Sequence, residues 1–325
     1  MELICPAGTP AAYREAVDAG ADAIYCGFRN DTNARNFPGL NFTVEEMGTA
    51  IAHGRDRGVQ TYVALNTFMR AGSEDTWYRA ADDAVRLGAD AVILADMALM
   101  EYVATTYPDQ RLHVSVQASA SNADAVNFLV ESFSARRLVL PRVLTVAEIA
   151  ALARQVDCEL EVFAFGGLCV MAEGRCSLSS YITGQSPNMQ GVCSPASHVR
   201  YREDGEDMVS ELGGFTINRF GSDEPAGYPT LCKGRFHIAQ SDAYAFEDPV
   251  SLDVMDHLDA LRSAGVTALK IEGRQRGKAY VAEVVSSLRK ALAVSPSERP
   301  AALAQLRRLS EGQRTTSGAY EKKWR

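Results

Sequence analysis

Histidine is scarce in this sequence, with five in 325 residues, and His53, His113, His198, His237 and His257 show no ligand spacing. There is no H-E-x-x-H and no G-x-S-x-G, so the motifs of zinc proteases and of serine hydrolases of the nucleophile-elbow type are absent. No glycine-rich dinucleotide fingerprint follows the first apolar run. Tight C-x2–4-C pairs, which would mark a zinc finger, are missing as well. Basic residues do not predominate: 33 Lys and Arg face 41 Asp and Glu, a net charge of −8, which offers no electrostatic footprint for nucleic acid. No apolar run approaches the length of a membrane span. Met1-Glu2 leads straight into a short apolar run and Pro6-Ala7-Gly8, which is not a signal-peptide pattern. The expectation is a cytoplasmic protein, in which disulfides are disfavoured and metal ligation by cysteine gains weight.

What is present is a repeated unit. Asp18-Ala-Gly-Ala-Asp-Ala-Ile-Tyr-Cys-Gly27 resembles the stretch from Arg86 to Ala95, and Ser263 to Gly273 is a third copy. Each carries a glycine able to end a helix, a short turn, and a β-rich apolar run. Eight such runs stand out as strands: Glu2–Pro6, Ala23–Cys26, Thr61–Leu65, Ala91–Leu94, Leu112–Gln117, Arg137–Leu140, Leu160–Phe165 and Ala268–Glu272. Helical stretches lie between most of them, two opened by capping boxes, Thr43 with Glu46 and Thr145 with Glu148. Alternation of this kind predicts an α/β fold, a TIM-barrel-like (β/α)8 domain over 1–294, with an open doubly wound sheet as the competing reading. A cysteine-rich insertion over 166–249 falls between strands seven and eight, at the mouth where such barrels carry their sites. The tail 295–325 is expected to hold one amphipathic helix, Ala301–Glu311.

Four of the seven cysteines, Cys169, Cys176, Cys193 and Cys232, lie in that insertion among glycines, prolines and polar residues. Cys5, Cys26 and Cys158 instead sit in or beside apolar runs and read as small packed residues. Loops that turn at Gly174, Pro187, Gly191, Pro195 and Pro229 let sulfurs converge from several backbone directions. The four thiolates are therefore expected to hold one metal centre, either an iron–sulfur cluster or zinc, since the donor set suits both.

Polar residues at the strand ends converge on the same mouth: Asn33 and Arg35 after strand two, Asn66 after strand three, Asp96 after strand four, Ser115, Gln117 and Ser119 on strand five, Arg142 after strand six, Glu272 and Arg274 after strand eight. Arg35, Arg142 and Arg274 are expected to clamp a carboxylate, and Glu272 beside Arg274 is the candidate acid–base pair, with rim ion pairs as the plain alternative.

Glu161, Phe163, Gly166, Cys169, Gly174, Cys176, Leu178 and Ser179 resemble the signature of the peptidase U32 family, E-x-F-x2-G-[SA]-x-C-x4-G-x-C-x-x-S, with Gly167 departing from it. Within that family the likeness runs almost end to end with a branch that serves ubiquinone biosynthesis. It passes from M-E-L-I-C-P-A-G and N-D-T-N-A-R through V-L-P-R-V-L and A-G-Y-P-T-L-C-K-G-R to K-I-E-G-R-Q-R. The resemblance implies a [4Fe-4S] cluster on Cys169, Cys176, Cys193 and Cys232. It implies dioxygen-independent hydroxylation of the aromatic ring of prenylated ubiquinone precursors, in a heterodimer with a homologous iron–sulfur protein. Prephenate is the implied oxygen donor, and a lipid-carrier protein is the implied partner for the prenylphenol substrate. Other members hydroxylate tRNA or rRNA bases, which is the alternative; proteolysis, the sense of the family name, lacks a motif here.

Overall fold

The computed structural model describes residues 1–169, 176–185, 187–310 and 314–321. Its chain runs β1 (Glu2–Pro6), α1 (Pro10–Asp18), β2 (Ala23–Cys26), α2 (Val44–Arg55), β3 (Gln60–Leu65), α3 (Asp75–Leu87), β4 (Ala91–Leu94), α4 (Met97–Thr106), β5 (Leu112–Val114), α5 (Ala123–Phe133), β6 (Arg137–Val139), α6 (Val146–Ala153) and β7 (Glu159–Gly167). There follow α7 (Ser177–Thr183), β8 (Val199–Asp204), β9 (Asp207–Leu212), β10 (Phe215–Phe220), β11 (Arg235–Ile238), β12 (Ser241–Tyr244), β13 (Ser251–Asp253), α8 (Leu258–Ser263) and β14 (Val266–Ile271). The chain continues through α9 (Lys278–Ala293), α10 (Arg299–Leu303), α11 (Leu306–Leu309) and β15 (Thr315–Thr316).

Strands β1 to β7 pair in parallel in sequence order, and β14 closes the ring by pairing in parallel with both β7 and β1. This is the expected TIM-barrel-like α/β barrel. The three repeat copies fall on α1–β2, α3–β4 and α8–β14, and each helix ends at a glycine with positive φ (Gly20, Gly88, Gly265). Both capping boxes form, Thr43 with Glu46 and Thr145 with Glu148. Strand residues alternate between two apolar layers. Leu3, Ile24, Val63, Val92 and Val114 face outward onto Tyr13, Met47, Trp77 and Leu99 of the helices. Ile4, Tyr25, Tyr62, Ala64, Ile93 and Ala268 fill the barrel interior.

The insertion leaves β7 at the barrel mouth. It contains α7, an antiparallel three-stranded sheet of order β10-β9-β8, and the hairpin β11–β12. On the way back, β13 pairs antiparallel with the end of β7, and β15 adds in parallel to β13, so the tail is tied to the barrel. Tyr320 completes the tie, its buried hydroxyl donating to the Phe163 carbonyl at 2.8 Å.

Two expectations are corrected. Strand five stops at Val114 rather than Gln117, because the Ser115 hydroxyl accepts from the Gln117 amide at 3.2 Å and turns the chain into a 3-10 segment over Val116–Ala118. Ser115, Gln117 and Ser119 thus lie on and after the turn that follows the strand. The tail holds two short helices, α10 and α11, in place of one; Glu311 lies outside the described residues. Each piece has its own anchor: Arg299 bonds both oxygens of Asp259 at 2.7 and 2.8 Å, and Leu306 is buried in the core. Such contacts decide the path of helices too short to be stable alone.

Candidate active site at the barrel mouth

The loop after β2 is fixed by asparagines. The Asn33 carboxamide donates to the Phe28 carbonyl at 2.5 Å and accepts from the Arg35 amide at 3.0 Å and from Arg274 Nη1 at 3.2 Å. Asn66 accepts from the Ala34 amide at 3.0 Å and donates to Ser115 Oγ at 3.2 Å. Asn41 donates to the Arg35 carbonyl at 2.8 Å. With its backbone held on both sides, Arg35 points across the mouth and places Nη2 at 3.4 Å from Glu272 Oε1. From β6, Arg142 lies over the Phe163 ring with its guanidinium carbon 3.5 Å from the centroid, and reaches Glu272 Oε2 at 3.3 Å. Arg274 is buried beneath, 5.5 Å above the Tyr25 ring.

One carboxylate therefore faces three guanidiniums. Burial pushes Glu272 up, but Arg35, Arg142, Arg274 and Lys270 outweigh it and hold its carboxyl below the usual carboxylate range. An ionised group held low is a weak proton acceptor at neutral pH, so the geometry favours a charge-setting role for Glu272 over the acid–base role expected for it. Burial lowers Arg274, and the charge of Arg35 adds to that against the acidic groups around it. The mouth carries three positive charges against one negative, inside an acidic protein, which suits a small dianion.

Below the mouth the barrel axis is ionic. Lys270 Nζ pairs with Glu161 at 2.7 Å and stands 3.8 Å from the Tyr25 centroid, while Arg137 contacts Glu161 at 3.5 Å, Glu2 at 2.6 Å and Glu159 at 2.5 Å. Arg137 and Glu161 are each 1% exposed, so neither charge is left to solvent. This column was not among the sequence candidates. Its signal was present as charged residues two apart on strands, Glu159 with Glu161 and Lys270 with Glu272, which places each pair on the inward face.

The cysteine insertion is docked onto this mouth by Asn188, which sequence reading passed over within a run of turn formers. Its side chain donates to Gln117 Oε1 at 2.7 Å and accepts from the Cys176 amide at 3.1 Å, and its carbonyl accepts from the Phe68 amide at 2.9 Å. Gly191 adds a second contact, its carbonyl accepting from the Asn36 amide at 3.1 Å. At φ +80, with a Cβ that would lie 2.4 Å from the Asn33 carbonyl oxygen, no other residue fits that position.

Cys193 and Cys232 are pushed up in pKa, Cys232 to about 12, first by burial and then by the neighbouring thiols: Cys169 and Cys176 act on both, and Cys193 also acts on Cys232. Arg35 counters on Cys193, and it in turn feels Cys193 and Cys169 after Glu272. Cys169 and Cys176 thus act on Cys193, and all three act on Cys232, which puts the four in one neighbourhood beside Arg35 at the mouth. Among the described residues no three His, Cys, Asp or Glu side chains close into a set able to hold a metal ion. The donor chemistry fits a four-thiolate centre, while the approach to ligand distance is not completed. The other three cysteines stand apart: Cys5 and Cys26 are buried in the core and Cys158 is partly buried, and burial raises all three.

A family model for peptidase family U32 matches residues 8–323, and the chain belongs to that family. It is 32% identical over 318 residues to the tRNA hydroxylation protein P of Escherichia coli, covering 92% of this chain and 69% of that protein. It is 31% identical over 297 residues to the tRNA hydroxylation protein P1 of Bacillus subtilis, covering 90% of this chain and 63% of that protein. A solved U32 peptidase structure is similar at 21% identity and a TM-score of 0.42, over 50% of this chain and 68% of that one.

Proposed function

We propose that this chain is the iron–sulfur subunit of a dioxygen-independent hydroxylase, and that its substrate is the aromatic ring of a prenylated ubiquinone precursor. The observation that carries the reading is the junction at Arg35, where a mouth with excess positive charge meets Cys193 and Cys169. Cys169, Cys176, Cys193 and Cys232 would hold a [4Fe-4S] cluster, which supplies one-electron transfer when bound. Replacing an aromatic hydrogen by hydroxyl requires an oxygen donor at the oxidation level of water and removal of two electrons and two protons. Prephenate, a dicarboxylate, matches the charge left over by Arg35, Arg142 and Arg274 around Glu272. The substrate assignment rests on the motif likeness, which follows the ubiquinone biosynthesis protein UbiU along almost the whole chain. It brings with it a UbiV-like partner in a heterodimer and a UbiT-like lipid carrier.

Hydroxylation of an RNA base is the second reading, and the names of the tRNA-hydroxylating relatives favour it. The charge distribution counts against it. The net charge is −8, and cations of the insertion are matched by acids: Arg202 by Glu211, Arg219 by Asp204, Arg235 by Glu224. Those three arginines are thereby partly neutralised toward a phosphate backbone. A Cys176→Ala strain grown without oxygen separates the two: quinone synthesis is lost and tRNA and rRNA hydroxylation stay intact. The reverse pattern overturns the reading.

A further inference from the structure

A groove of about 820 Å³ opens from the mouth between the β4–α4 and β5–α5 connections. Its wall is made largely of Phe68, Met97, Phe128 and Leu129 with several alanines, and Met97 and Phe128 are 60% and 52% exposed. Large apolar side chains displayed together beside a site mark a contact for an apolar ligand or partner. The carboxylate in the wall, Asp96, is already committed: it accepts from the Ala98, Leu99 and Met69 amides at 2.9, 3.3 and 3.1 Å, capping α4. What the groove presents is therefore an apolar surface with its one carboxylate held by backbone amides, ill suited to a polyanion and well suited to a hydrocarbon.

The inner end is continuous with the cysteine side of the mouth. Gln117 lines the groove and accepts from Asn188, which in turn accepts from the Cys176 amide; the Phe68 amide donates to the Asn188 carbonyl. We infer that this groove holds the isoprenoid tail of the substrate while its ring enters the mouth. The inference rests on the reading of the substrate as a prenylated phenol and extends it: recognition is shared between the charged mouth, which reads the oxygen donor, and this wall, which reads the tail. A short tail would fill only part of the groove, so catalytic efficiency should rise with tail length until the space is used.

The test uses the anaerobically prepared, cluster-loaded heterodimer with a tail-less phenol and its prenylated counterparts of increasing length. Efficiency is expected to climb with tail length by about tenfold or more. Met97→Asp and Phe128→Asp are expected to shrink that advantage chiefly through KM, at an unchanged melting temperature. Because a charged variant can disturb packing, a second measurement uses the unaltered protein: a substrate analogue with a photoreactive group at the tail end should label the 97–98 and 125–129 segments. Labelling on the partner or elsewhere on this chain, or equal efficiency with and without a tail, overturns the groove assignment and leaves the hydroxylase reading standing. If no prenylated phenol is hydroxylated while an RNA base is, the substrate reading fails and this inference with it.

Discussion

Glu272 sits at the barrel mouth paired with Arg35 and Arg142. Its carboxyl is held low in the folded protein, so its stabilising contribution is complete above the ordinary unfolded value, about 4.3, and is lost only as pH falls through the lower folded value. Glu272→Gln is therefore expected to lower stability by a constant amount in urea titrations from pH 7 to pH 5, with the gap to the parent narrowing only below that range. A gap that closes between pH 7 and pH 5 contradicts the arginine clamp. On the proposed reading the same clamp binds the oxygen donor: Arg35→Ala, Arg142→Ala and Arg274→Ala should each weaken prephenate in anaerobic calorimetry, and unchanged affinity in all three removes the assignment. Buried charges lower down need different handling. Lys270→Met leaves Glu161 with only the 3.5 Å contact to Arg137 and should cost on the order of 3 kcal/mol; adding Glu161→Leu should restore part of the loss.

At the scale of the element, the insertion is attached to the barrel through few points, and Gly191 is one of them. Gly191→Ala is expected to leave the far-ultraviolet spectrum of the barrel intact while lowering the iron retained per chain after anaerobic reconstitution, because Cys193 is two residues away and its loop is pushed off Asn33. Barrel elements were legible because their signals are local. Apolar runs with helix-ending glycines and capping boxes placed all eight strands, with Glu2–Pro6, Ala23–Cys26 and Ala91–Leu94 matching residue for residue. What escaped reading depends on distant partners. The strand β13 exists because Gly166 and Gly167 extend β7 past the barrel, and β8 carries charges on both faces that hide its alternation. Leu112–Gln117 read as one strand because its apolar pattern continues, and only the Ser115 hydroxyl ends it. Mouth residues were legible as a set from the strand ends. Which of them meet was not, since Asn33 turned out to orient Arg35 and Arg274 rather than to face open space.

Taken as a whole molecule, the barrel and the cysteine insertion differ in what holds them. The barrel closes by direct pairing of β14 with β7 and β1, without help from the insertion, and its walls are packed on both faces. The insertion has a small apolar centre, Val209, Leu212 and Ile217, and displays Tyr181, Tyr201, Phe215, Tyr228, Ile238 and Phe246 to solvent. If the proposed cluster forms, stripping its iron with a chelator should raise hydrogen exchange and proteolysis across 176–249 while barrel amides keep their protection. Loss of protection in β1 to β6 at the same rate would mean that the cluster braces the whole fold.

The strand that seals the ring is the last of its eight in chain order. Until Val266 to Ile271 leaves the ribosome, β1 and β7 each expose an unpaired edge, and the thiol-bearing loops have already emerged. Arrest of translation just before residue 266 would capture a species whose iron uptake and aggregation both differ from those of the finished protein.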